Sequence, residues 1–91
     1  MPSFYVYLLY SESRRRTYVG QTADVDARLS QHNAGKVKST RWGRPWVVVH
    51  TDEYCSREEA KQHEAYLKTA SGRKHITLLL AEKGLDQRES R

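Results

Sequence analysis

The chain has 91 residues, 37% hydrophobic and 30% charged, and its 16 Lys and Arg against 11 Asp and Glu give a net charge of +5. That length suits one small domain with a modest core, and the composition excludes an intrinsically disordered chain. One cysteine, Cys55, excludes an internal disulfide and points to a reducing compartment. No run of the sequence has the length and apolarity of a membrane span, and the N-terminus lacks the basic-then-apolar pattern of a signal peptide, so no membrane partner and a cytoplasmic location are expected. Surplus positive charge favours polyanions, nucleic acid first.

Residues 3–10 hold the apolar run Phe4-Tyr5-Val6-Tyr7-Leu8-Leu9-Tyr10, which reads as a buried, central strand. After the polar, basic turn from Ser11 to Arg16, residues 17–20 read as its hairpin partner, ended by Gly20. Alternate residues of a strand share a face, so Tyr7 and Tyr18 are expected near each other on neighbouring strands.

Thr22 is the expected N-cap of a first helix, with Asp24 and Asp26 in its first turn. Val25 and Leu29 form its apolar stripe, and Arg28 and His32, four apart, flank it and point towards the sheet edge. The bland alternative makes Arg28 a surface cation and His32 a last-turn complement to the helix dipole. Gly35 is the expected C-cap.

Residues 36–46 interleave Lys36, Lys38, Arg41 and Arg44 with Trp42 and Trp46. Such a loop pairs cations with phosphates while an indole stacks on a base. Trp46, next to the strand that follows, reads as core, and Trp42 is left open. That strand is Trp46-Val47-Val48-Val49-His50, entered through Pro45. Ser56 and Glu59 form an S-x-x-E capping box, so a second helix runs from there to Leu67 or Lys68, with Ala60, Leu67 and partly Tyr66 inward. Glu64 falls in the middle of that stripe, and an inward carboxylate is costly unless it is paired or bound to a metal. A structural salt bridge, for instance to Arg28, is the alternative to a functional role. Ser71-Gly72 breaks the pattern, and Ile76, Leu79 and Leu80 mark a short third helix, with Arg73, Lys74 and His75 towards solvent or phosphate. The expected domain spans residues 1–83, and residues 84–91 form a polar tail that frays.

The fold class read from these elements is α+β, a three-stranded antiparallel sheet flanked by helices in the order ββαβαα. Together the residues resemble the GIY-YIG nuclease domain, in its small stand-alone bacterial branch, over about residues 3–80. The first triplet stands here as Tyr5-Val6-Tyr7 and the second as Tyr18-Val19-Gly20; Arg28, His32 and Glu64 follow in order, and His32 to Lys36 give the His-Asn-x-Gly-Lys stretch of that branch. The resemblance implies the same fold and hydrolysis of DNA phosphodiester bonds with one divalent cation, Mg2+ or Mn2+, in repair or recombination. It implies that Glu64 holds the metal, Arg28 binds the scissile phosphate, Tyr18 acts as base with Tyr7 supporting, and His32 assists. Gln21 stands where some members carry lysine, and is grouped with Lys36, Lys38, Arg41, Trp42 and Arg44 on the nucleic-acid side. Tyr5 replaces the first glycine of the first triplet, and residues 65–80 lack the asparagine many members have. Without a second domain to set specificity, the chain either cuts structured or damaged DNA or relies on a protein partner. A catalytically silent nucleic-acid-binding module and a protein-interaction domain are the rival readings.

Overall fold

A computed structural model describes residues 3–87. The elements are β1 (Phe4–Ser11), β2 (Arg16–Thr22), α1 (Val25–Asn33), a 3-10 helix (Lys38–Gly43), β3 (Trp46–Tyr54), α2 (Arg57–Leu67) and α3 (Ala70–Glu82). The sheet is antiparallel with order β2-β1-β3, so the expected α+β architecture and element order are observed. The apolar first strand is central, as its composition implies: only a strand paired on both edges and covered on both faces hides consecutive large side chains.

Alternation along β1 divides the core between the two faces. Val6, Leu8 and Tyr10 join Val19 beneath Ala60 and Leu67 of α2 and Ile76 and Leu80 of α3. Tyr7 and Leu9 join Trp46 on the other face, with Tyr18, Val48 and the α1 residues Val25 and Leu29 packed against them. The sheet is thus sandwiched, with α2 and α3 on one side and α1 on the other.

The structure moves several boundaries. Asp24, not Thr22, caps α1: its side chain accepts from Ala27 N at 3.0 Å. The Thr22 hydroxyl accepts from Asp24 N one step earlier, at 3.1 Å, which shapes the turn into the helix. Gly35 follows the cap residue Ala34 with φ +79°, the left-handed conformation that suits glycine after a helix. β3 runs on to Tyr54, which pairs with Phe4 at the start of β1, and the ladder skips Val49 at a bulge. The Ser56 cap is as expected, its hydroxyl accepting from Glu59 N at 3.2 Å. Tyr66, placed partly inward by periodicity, is exposed, while Ala60 and Leu67 are buried.

Gly72 does not break a helix. It lies in the first turn of α3, buried, where an added Cβ would run into the backbone of Tyr66 and Leu67. Glycine there lets the start of α3 press against the end of α2. The expected frayed tail is pinned as far as Gln87: Leu85 packs on the core, and the Tyr10 hydroxyl donates to Asp86 O at 2.6 Å. Residues 88–91 lie outside the described residues. No helix among the described residues is long and apolar enough to cross a membrane.

Candidate active site

Tyr7 and Gly20 are directly paired across β1 and β2. The phenol of Tyr7 lies over Gly20, and a Cβ at that position would stand 2.6 Å from Tyr7 Cζ. The glycine of the second triplet therefore makes room for the tyrosine of the first. Gly20→Ala is expected to push the Tyr7 ring out of place, cost about 1–3 kcal/mol by overpacking, and reduce any activity that depends on that phenol. Urea denaturation, with the Tyr7 ring resonances as a local probe, checks this; an unshifted ring would refute it.

Tyr18 pairs with Leu9, two residues along β1, so both phenols share the α1 face; their ring centroids are 6.4 Å apart. His32 comes down from the last turn of α1 and is 0% exposed. Helical spacing placed it beside the apolar stripe, near the sheet edge; it is instead wedged among aromatics. Its ring centroid is 5.8 Å from that of Tyr7 and 5.1 Å from that of Tyr18. Its Nε2 is 3.0 Å from Tyr7 Oη and its Nδ1 is 2.8 Å from Thr40 Oγ1. The direct bond goes to Tyr7, the tyrosine first given only a supporting role.

Arg28, one turn before His32, is half-buried, and its Nη1 donates to Gln31 Oε1 at 2.8 Å. Burial raises the Tyr7 pKa above its ordinary value and outweighs the hydrogen bond and positive charge of Arg28, which act to lower it; the charges of Tyr18 and Glu64 reinforce the rise. The positive charge of Arg28 does not bring the Tyr7 phenol below its ordinary value, because burial acts more strongly the other way. Tyr18, Arg28 and Glu64, from three other elements, each act on the charge of this phenol.

The His32 pKa is lowered, first by burial and then by the charge of Arg28, so the imidazole is neutral at neutral pH. A lowered folded value means that the unfolded chain takes up a proton near the ordinary value of about 6.5 while the native chain does not. The stability His32 contributes is complete above that value and is lost as pH falls through the lower, folded one. His32 ring resonances followed with pH should titrate below about 6.5; a midpoint at or above it would contradict the burial argument.

Glu64 reaches the site from α2, with a side chain 21% exposed. It does not pair with Arg28. Its Oε1 accepts from Gln21 Nε2 at 3.2 Å and its Oε2 from Lys68 Nζ at 3.0 Å. Gln21 is thus engaged in orienting the carboxylate, with a further long contact of 3.5 Å from Arg57 Nη1 to its Oε1. Lys68 was not among the residues singled out from the sequence, although an acid and a lysine four apart on one helix is a readable signal. Among the described residues no three His, Cys, Asp or Glu side chains are grouped to hold a metal ion. Glu64 offers one hard, partly open carboxylate, and Mg2+ is commonly held by one or two carboxylates with waters and substrate phosphates. The donor set fits that kind of cation.

The basic loop follows α1 directly and reaches His32 through Thr40. Asn33 ties α1 to the start of β3, its Oδ1 accepting from Trp46 N at 2.6 Å and its Nδ2 donating to Trp46 O at 3.0 Å. Trp46 is core, as expected, and its indole N–H donates to Thr40 O at 2.8 Å. Trp42 is 48% exposed, edge-on to Trp46, with its own indole N–H held by Ser39 O at 2.8 Å. Lys36, Lys38, Arg41 and Arg44 are all exposed. Arg41 Nε donates to Gly35 O at 2.6 Å and Arg44 Nε to Arg41 O at 3.0 Å, which fixes both guanidinium groups at the loop surface. Thr40, which supports His32 from behind, gave no distinct signal in the sequence, because a buried hydroxyl follows no period; Asn33 was read there only as part of the His32 to Lys36 stretch.

The model of the GIY-YIG catalytic domain matches residues 3–77. A UPF0213 protein of Staphylococcus haemolyticus is 35% identical over 80 residues, covering 87% of this chain and 96% of the relative. The structure-specific endonuclease subunit SLX1 of Candida dubliniensis is 42% identical over 85 residues, covering 84% of this chain but 30% of that longer protein. The solution NMR structure of a UPF0213 protein from Bacillus halodurans shares the fold, with TM-score 0.53 and 37% identity over 90% of this chain and 87% of the other.

Proposed function

Because the chain belongs to the GIY-YIG catalytic-domain family, and with it to a family of nucleases, we propose that it is a metal-dependent DNA endonuclease acting in repair or recombination in the cytoplasm. The observation that carries this reading is the Tyr7–His32 hydrogen bond of 3.0 Å, set beside Arg28 and within the field of Glu64. Phosphodiester hydrolysis gathers negative charge on the phosphoryl oxygens, and a planar guanidinium is suited to bind two of them. Arg28 has that role. Glu64 would hold the Mg2+ or Mn2+, which would supply further charge stabilisation to the phosphoryl group.

The resting phenol is protonated and the resting imidazole neutral. A relay meets that constraint. As water attacks and the new P–O bond forms, the water proton passes to Tyr7 Oη while the Tyr7 proton passes to His32 Nε2, so no free phenolate is required; the P–O bond to the leaving sugar oxygen breaks, and that oxygen takes a proton from solvent. Tyr18, beside both rings, orients the water. The exposed cations and Trp42 of the 36–46 loop hold the DNA backbone and stack on an unpaired base. The Candida relative is a subunit by name, which agrees with a protein partner supplying specificity here too.

The test is nicking of supercoiled plasmid by purified protein with Mg2+ or Mn2+, with and without chelator. Nicking that needs the cation supports the reading, and its absence under all conditions overturns it. One observation favours the silent-module reading: both Glu64 oxygens are already bonded, to Gln21 and Lys68. DNA retention that falls steeply with salt, without cleavage, is its signature.

A further inference from the structure

Three hydrogen bonds run in series from the central strand into the basic loop. Tyr7 Oη lies 3.0 Å from His32 Nε2, His32 Nδ1 lies 2.8 Å from Thr40 Oγ1, and Thr40 Oγ1 lies 3.2 Å from Val37 O. A carbonyl only accepts, so the far end of the series has a fixed direction. If the Thr40 hydroxyl donates to Val37 O, its oxygen accepts from His32 Nδ1–H. His32 Nε2 is then bare and accepts from the Tyr7 O–H.

In the reverse arrangement Thr40 donates to Nδ1 and an Nε2–H donates to Tyr7. The Tyr7 proton then has nowhere to go. The phenol is 2% exposed, His32 Nε2 is the only hydrogen-bond acceptor recorded for it among the described residues, and Arg28 carries donors alone. A buried O–H without an acceptor is disfavoured. The first arrangement satisfies every group in the series, and no buried side-chain polar atom among the described residues lacks a partner.

We infer that Thr40 is a positioning residue that fixes His32 in its Nδ1–H tautomer, keeping Nε2 open to accept the Tyr7 proton. Thr40 is 0% exposed, and its place in the 3-10 helix is set by its own N–H, which donates to Val37 O at 3.1 Å. The catalytic consequence rests on the endonuclease reading; the tautomer does not. In the proton transfer the water O–H breaks as a new Oη–H forms, the old Oη–H breaks as Nε2–H forms, and His32 becomes an imidazolium whose Nδ1–H still donates to Thr40. A His32 that already carried a proton on Nε2 could not take part.

Thr40→Val removes the hydroxyl with little change of shape, and Thr40→Ser retains it. Long-range 1H–15N correlation on labelled protein reads the two ring nitrogens of His32 directly. Wild type and Thr40→Ser are expected to show Nδ1 protonated and Nε2 bare, and Thr40→Val a growing Nε2–H population. In the nicking assay kcat should fall about 10- to 100-fold in Thr40→Val with little change in KM, and recover in Thr40→Ser. Protonated Nε2 in wild type overturns the inference, as does a folded Thr40→Val with wild-type ring signals and kcat. Should Thr40→Val fail to fold, the wild-type ring signals alone decide. An inactive wild type with the Nδ1–H pattern upholds the Thr40 assignment and removes the endonuclease reading.

Discussion

Glu64→Gln is expected to reduce plasmid nicking by on the order of 10²–10³-fold or more while leaving DNA retention nearly intact. The substitution keeps the shape of the side chain and its bond from Gln21, but it removes the charge a cation requires. It also breaks the ion pair with Lys68, whose side chain is 59% exposed, and pairs that open to water contribute about 0–1 kcal/mol. Melting should therefore barely change, which separates loss of chemistry from loss of fold. Arg28→Ala should lose nicking on a similar scale, and Arg28→Lys should recover only part of it, since an ammonium lacks the planar fork. Equal nicking by wild type and by all of these variants would trace the activity to a contaminant.

Tyr7→Phe is expected to lower nicking by about 10²–10⁴-fold, the range of a positioned proton-transfer group. Phenylalanine keeps the ring over Gly20 but leaves His32 Nε2 buried without a partner, which costs about 1–3 kcal/mol of stability. Tyr18→Phe should have a smaller effect, because Tyr18 meets His32 edge-on through its ring, with centroids 5.1 Å apart, and the 3.0 Å bond belongs to Tyr7. A Tyr7→Phe variant with wild-type nicking would pass the role of base to Tyr18.

The architecture was legible because its signals are periodic or local. The unbroken apolar run of β1 marked a central strand, and Ser56 with Glu59 marked the start of α2. The two triplets with Arg28, His32 and Glu64 marked the candidate site, and the Tyr7–His32 bond lies among them. What remained hidden depends on distance across the fold. Gly72 looked like a break because a breaker and a point of close helix contact are the same residue in one dimension. His32 was placed at an edge because periodicity gives a direction but not a depth. The supports from Thr40, Gln21 and Lys68 come from three separate segments: Gln21 was read on the nucleic-acid side rather than as a partner of Glu64, Lys68 stood at a spacing that could have flagged it, and Thr40 stood at none.

The central position of β1 has a mechanical consequence. Its backbone is laddered to β2 on one side and to β3 on the other, so Tyr7 cannot travel without tearing two rows of bonds. Arg28 and Glu64 instead ride on helices that rest on the sheet through side chains alone, and packed helices slide more cheaply than laddered strands part. The proton-handling element is the anvil, and whatever closure the substrate induces falls to the two helical arms.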